Sequence, residues 1–147
     1  MLAMQRLLAI EACRETILRA ARAADTHDAA GFAAQFTDNA ELQRPSGAAL
    51  QGREAIRQAY DARPRERLSR HLLTNIQVLP DPDDAGRAQA ISSVLLWSAS
   101  GPDTPGPQGR RADGRQLVGE FEDELVLTAE GWRIARRRAQ FLMFSGD

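Results

Sequence analysis

The chain contains no lysine: all 19 of its basic residues are arginine. That absence excludes Schiff-base catalysis and a lysine-bearing phosphate loop. Arginine keeps its charge at any relevant pH, so none of these basic groups serves as a general base. The single cysteine, Cys13, excludes an intramolecular disulfide and a thiolate zinc cluster. Only two histidines are present, His27 and His71, and with the scattered carboxylates they show no H-x-x-x-H or facial-triad spacing, so no metal site is expected. No apolar run approaches the ~20 residues of a membrane span. The net charge of −1 lacks the basic excess of a nucleic-acid-binding surface. The opening "MLAMQRLLAIEACRE" has no charged n-region, uninterrupted apolar stretch or small-residue cleavage site, so it reads as a first helix and the expected compartment is the cytoplasm. Usage rich in Ala and Arg but free of Lys points to a high-GC bacterial genome.

What remains is the composition of a globular domain, 147 residues with 43% apolar and 27% charged side chains. No repeat, heptad or domain boundary interrupts it, and residues 1–147 are expected to form one domain. Leu7, Ile10, Ile17, Ala21 and Ala24 mark the apolar stripe of a first helix that ends at "DTHDAAG". A short second helix is expected over 29–36 and a brief strand over 41–43. A third helix, "REAIRQAYDAR", is closed by Pro64. From His71 the pattern turns to β: 71–79, 87–99, 115–127 and 131–144 are rich in Val, Ile, Leu and aromatics. Three helices followed by an antiparallel meander define an α+β arrangement with helices on one face of the sheet. The Gly- and Pro-rich stretch 100–113 is expected to be mobile, either as a lid or as a projection beyond the sheet.

His71, in "SRHLLTN", heads the first long strand. An imidazole there is a core residue, a metal ligand or a proton carrier facing a cavity. Asp28 has a plain structural reading as a helix cap or turn former, and Asp25 either shares that role or competes for the histidine. His27 reads as solvated. Asp123 and Glu124, facing "RRR" at 136–138, read as cross-strand ion pairs, with an acidic ligand as the alternative partner of the "RRR" run, although strand alternation separates its members onto two faces. Phe36, Tyr60, Leu73, Trp97, Phe121 and Phe141 are core residues by default, some of which would line a pocket.

Three stretches taken together, "ARAADTHDAAGFAAQFTDNAEL", "SRHLLTN" and "GEFEDELVLTAEGWRIARR", resemble the SnoaL-like branch of the nuclear transport factor 2-like superfamily. The resemblance implies a cone-shaped fold, with three N-terminal helices packed on a strongly bent antiparallel sheet that encloses a pocket. It implies an Asp28–His71 dyad, with His71 as general base or acid and Asp28 orienting it. Tyr60, Trp97, Phe121, Phe36, Leu73 and Phe141 would shape the pocket. The implied activity is that of a cofactor-independent lyase, isomerase or cyclase, dehydratase-like, acting on an apolar oxygenated small molecule. Departures are also present. Where scytalone dehydratase has a second histidine this chain offers Trp97 or Ser98, its Ser and Asn fall at Gly119 and Phe121, the dehydrochlorinase's arginine falls near Leu127, and the only tyrosine is Tyr60. They keep two alternatives open: a non-catalytic ligand-binding or subunit-association module, or an accessory subunit like the small subunit of ring-hydroxylating dioxygenases. A homodimer is expected, because too few helices are available to cover the outer face of such a sheet.

Overall fold

Alanine and β-branched spacing divide the chain cleanly into helices first and long strands last. The computed structural model describes residues 2–102 and 104–147. It contains α1 (Ala3–Asp25), α2 (Ala29–Ala33), β1 (Phe36–Gln43), β2 (Leu50–Gln51), α3 (Arg53–Asp61), β3 (Leu68–Pro80), β4 (Arg87–Ala99), β5 (Gln116–Thr128) and β6 (Gly131–Ser145). None of these helices is long and apolar enough to cross a membrane.

The strands form one six-stranded sheet in the order β2-β1-β6-β5-β4-β3. β3 to β6 form an antiparallel meander, joined by short turns at 81–86 and 129–130 and by the longer 100–115 segment between β4 and β5. The sheet as a whole is mixed, not antiparallel throughout. β1 runs parallel to β6, with Leu42 opposite Arg137, and β2 adds to it antiparallel. Two strands therefore intervene between the second and third helices. The second helix also ends earlier than its sequence indicates, because Phe36 enters β1 instead of completing a turn.

Alternation along the meander assembles the inward face in rows. His71, Leu96 and Leu117 form the first, followed by Leu73, Val94, Gly119 and Phe141. Ser92, Phe121 and Ala139 come next, then Ala90, Asp123 and Arg137, and finally Ala88, Leu125 and Ile134. Register shifts between Thr74 and Gln77, Val118 and Gly119, and Glu124 and Leu125 mark bulges, which bend the strands that carry them. Asn75, at the first of these, adopts a φ of 52°, a left-handed conformation that asparagine tolerates better than most residues.

The lower rows and α1 make the core. Cys13, Ile17, Phe36, Ile56 and Ile134 are fully buried in it. Burial pushes the Cys13 thiol up to about 12, so it stays protonated and unreactive. Of the expected α1 stripe, Ile17 and Ala21 are buried and Ile10 and Ala24 pack against the core, and only Leu7 departs from it. Leu7 is exposed, and Ala9, Cys13, Thr16, Ala20 and Ala23 complete the buried face. The outer face of the sheet leaves Leu72, Ile91 and Trp97 exposed.

One charged pair lies inside this apolar framework. Arg137 donates from Nε and Nη2 to the two carboxylate oxygens of Asp123, at 2.7 and 2.9 Å, and both residues are 3% exposed. The expected cross-strand pairing thus holds for Asp123. Glu124 faces Arg136 in register, but Arg136 turns to Glu41 at 3.8 Å. Removing one partner of a buried bidentate pair strands the other charge and costs about 3–5 kcal/mol. Asp123→Ala is therefore expected to lower the stability measured by urea denaturation by about that amount. A loss under about 1 kcal/mol would mean that the pair is solvated.

Candidate functional site

The site begins where α1 ends. Asp25 is its last residue, a carboxylate at the negative end of the helix dipole and only 8% exposed. Such a charge persists only with donors around it. Three are supplied by β3: the His71 backbone N–H to Oδ2 at 2.9 Å, the Ser69 hydroxyl to Oδ1 at 3.1 Å, and His71 Nδ1 to Oδ1 at 2.5 Å. Burial pushes the Asp25 carboxyl up, but the ring and backbone donors of His71, its charge and the Ser69 hydroxyl outweigh it. The carboxyl is held below its ordinary value.

An ionised carboxylate only accepts hydrogen bonds, so the His71 proton sits on Nδ1 in the neutral ring. Nε2 is then the free base, and it has no hydrogen bond to the described residues. His71 lines a cavity of about 540 Å³, bounded by α1, α2, α3, the loop after β1 and the upper rows of the sheet. A basic nitrogen with a buried, oriented carboxylate behind it is arranged for proton transfer.

Asp28 does not have the place expected for it. It is exposed and caps α2, accepting from the Gly31 N–H at 2.9 Å. A Cβ at residue 31 would lie 2.2 Å from the Asp28 carboxylate, so glycine at that position is part of the cap. The two residues between the two aspartates explain the exchange. Thr26 and His27 unwind the helix, and the Asp28 N–H closes back on the Ala23 carbonyl at 2.9 Å in a Schellman-type turn. His27 occupies the left-handed position, φ 57°, where glycine is usual. It is half-buried, not solvated, and its Nε2 bonds the Arg67 carbonyl at 2.7 Å.

Of the residues expected to shape the pocket, Tyr60, Phe121 and Phe141 line the cavity. Phe36 lies in the core with its ring 5.1 Å from Phe32, and Leu73 packs against the same core. Trp97 projects from the opposite face. Leu96 points inward, so its neighbour points out, and Trp97 is 42% exposed beside the 104–113 segment. That segment lines no part of the His71 cavity among the described residues. It is tied down by Asp113, which accepts from the Ser98 and Ser100 hydroxyls and the Ser100 N–H at 2.8–3.0 Å. Asp103, within the stretch expected to be mobile, lies outside the described residues.

Sequence reasoning did not assign three arginines of the lining, Arg44, Arg63 and Arg67, and read Arg137 only as a cross-strand ion-pair partner. Gly119 also has a physical reason to lack a side chain. A Cβ there would lie 2.8 Å from the Gln140 carbonyl and 3.4 Å from the Phe141 ring. Among the described residues no group of three His, Cys, Asp or Glu is placed to hold a metal ion.

Residues 5–138 match the SnoaL-like domain family, and the chain belongs to that family, within the nuclear transport factor 2-like superfamily. Three solved structures show the same fold. A scytalone dehydratase candidate from Novosphingobium aromaticivorans is 19% identical, with a TM-score of 0.80 over 99% of this chain and 92% of that one. A hexachlorocyclohexane dehydrochlorinase (LinA, type 2) is 14% identical, with a TM-score of 0.78 over 98% and 92%. ActVI-ORFA from Streptomyces coelicolor is 21% identical, with a TM-score of 0.69 over 89% and 95%. No curated protein matches the chain significantly.

The lowered Asp25 value has a sign that can be checked. Its stabilisation is fully present above the unfolded-state value of about 3.9. It is lost as pH falls through the lower folded-state value. Asp25→Asn is therefore expected to lower stability at neutral pH and to flatten the stability–pH curve below about pH 4. An acid-unfolding profile unchanged by Asp25→Asn would contradict the three-donor arrangement.

Proposed function

We propose that this protein is a small-molecule lyase, isomerase or cyclase of the dehydratase-like kind, acting on an apolar, oxygenated substrate held in a cone-shaped pocket. The observation that carries this reading is the hydrogen-bonded pair of Asp25 and His71 at the wall of the cavity. In the proposed step, His71 Nε2 takes a proton from a carbon or oxygen of the substrate. Asp25 holds the ring in that tautomer and stabilises the imidazolium that forms. Eliminations, dehydrations and proton-shifting cyclisations share this first requirement, and none of them needs a cofactor to supply it. The apolar wall from Phe32, Leu96, Leu117 and Phe121 excludes water and strengthens the pair's electrostatics. Family membership and the kinds of protein that share the fold support this class of chemistry, while the fold alone hosts other functions as well.

The test uses the proton transfer itself. Exchange of α-protons into apolar ketones of up to two fused rings, such as 2-tetralone, is followed by proton NMR in D2O. His71→Ala is expected to lower protein-catalysed exchange by about 10²–10⁴-fold. Asp25→Asn is expected to lower it by about tenfold or more, because the ring loses the partner that fixes its tautomer. Asp28→Asn should leave the rate unchanged, since that residue caps α2. Exchange that persists in His71→Ala at the level of the parent protein would remove the mechanism and favour a ligand-binding module.

A further inference from the structure

The cavity's wall carries charge that the proton-transfer reading does not use. Arg44, Arg63, Arg67 and Arg137 line it, and Glu120 is the one carboxylate in the lining. Arg137 is balanced by Asp123. The other three make no ion pair with the described residues. The Nε of Arg44 is moreover buried with no hydrogen-bond partner. Arg67 still feels the charge of the Asp113 carboxylate, so Arg44 and Arg63 are the guanidinium groups left uncompensated, and the cavity they border is electrostatically unfinished.

These groups are also held in place. Phe32 stacks on the Tyr60 ring at 3.9 Å with an interplanar angle of 19°, and the Arg63 guanidinium carbon sits 3.9 Å from the same ring centroid. Two groups at that distance cannot share one face of a ring. The order is therefore Phe32, Tyr60, Arg63, with the guanidinium as the outer layer of an aromatic stack. Stacking fixes a planar guanidinium while leaving its N–H edge unused, and that edge matches two coplanar oxygens. The backbones that carry the other two arginines are pinned as well. Gln43 Nε2 bonds the carbonyls of Arg44 and Gly47, and His27 bonds the carbonyl of Arg67.

We propose that the cavity is selective for an organic acid: a ligand with a flat apolar body and a carboxylate, or an equivalent anionic group, received by Arg63 with Arg44 and Arg67 contributing charge. The proposal rests on the cavity being the ligand site of the function proposed above, and it names the chemical class of that ligand. The aromatic lining from Phe121 and Phe141 takes the flat body, and the arginines take the acid. An anion bound there also supplies the charge that the wall lacks. It leaves His71 Nε2 available for the proton, since the acid is held by other side chains.

Equilibrium binding to the full chain tests this without requiring turnover. The probes are 2-naphthoate, 2-naphthyl phosphate and the neutral 2-naphthamide, measured by calorimetry at low and at moderate salt. The carboxylate is expected to bind at least tenfold more tightly than the amide, with the advantage shrinking as salt rises. Arg63→Gln should abolish the advantage, Arg63→Lys should retain part of it, and Arg65→Gln, on an exposed arginine paired with Asp61, should retain all of it. A phosphate preferred over the carboxylate identifies a phosphorylated ligand as the source of the anion and leaves the acid-selective site standing. Equal affinity for acid and amide, no binding of either acid, or an advantage that survives Arg63→Gln would overturn the proposal. Those results stand apart from the proton-exchange assay. Loss of exchange in His71→Ala with no acid preference refutes only this proposal, whereas an acid preference with exchange indifferent to His71 refutes only the catalytic reading.

Discussion

A single carboxylate joins the helical half of this molecule to its sheet. Asp25 closes α1 and is met by a ring nitrogen, a backbone N–H and a hydroxyl, all from the first residues of β3. Each donor alone is an ordinary hydrogen bond worth about 1–3 kcal/mol when the acceptor is charged. Together they make a buried anion tolerable at the unfavourable end of a helix. They also fix where β3 starts relative to α1. That placement puts His71 in the top row of the inward face, beside the cavity, with its tautomer decided by the same contact.

The interior below is graded along the strands. Rows of side chains are separated by about 7 Å, two residues of a strand. The lowest rows are Leu, Ile and Ala and pack against α1. The Asp123–Arg137 row is the floor of the cavity, a closed ion pair under Phe121, whose ring lies 4.0 Å from the guanidinium. Above it the rows open, because Gly119 brings no side chain and its backbone lies close to that of Gln140. A filled core below and an open upper half come from the same alternation, with Gly119 withholding a side chain in the upper rows. The lining of arginines and aromatics belongs to that upper half.

Much of this was legible in the sequence, and the parts that were not have identifiable causes. The four long strands and their turns follow from β-rich runs bounded by Pro, Gly and Asp, and their observed limits differ by a few residues at most. His71 was legible as the head of β3. Its partner was harder to place, because Asp25 and Asp28 lie one helical turn apart, and helix periodicity puts both on one face. The turn after Asp25 breaks that periodicity through a histidine in the left-handed region, where glycine is the usual signal. The parallel pairing of β1 with β6 has no local signature, since it joins residues about a hundred positions apart. Trp97 was misplaced by one residue of strand parity, which moves a side chain to the opposite face of the sheet. The stack of Phe32, Tyr60 and Arg63 joins two helices, and no spacing within either one reveals it.

The central claim is that Asp25 holds His71 as the Nδ1–H tautomer and so leaves Nε2 basic toward the cavity. Nitrogen-15 NMR of the histidine side chains reads this directly, with His27 distinguished by a His27→Gln variant. In its neutral form, His71 is predicted to show a protonated Nδ1 and an unprotonated Nε2, with a slowly exchanging Nδ1 proton that disappears in Asp25→Asn. A neutral His71 protonated at Nε2, or one averaging both tautomers as a solvated imidazole does, would contradict the account.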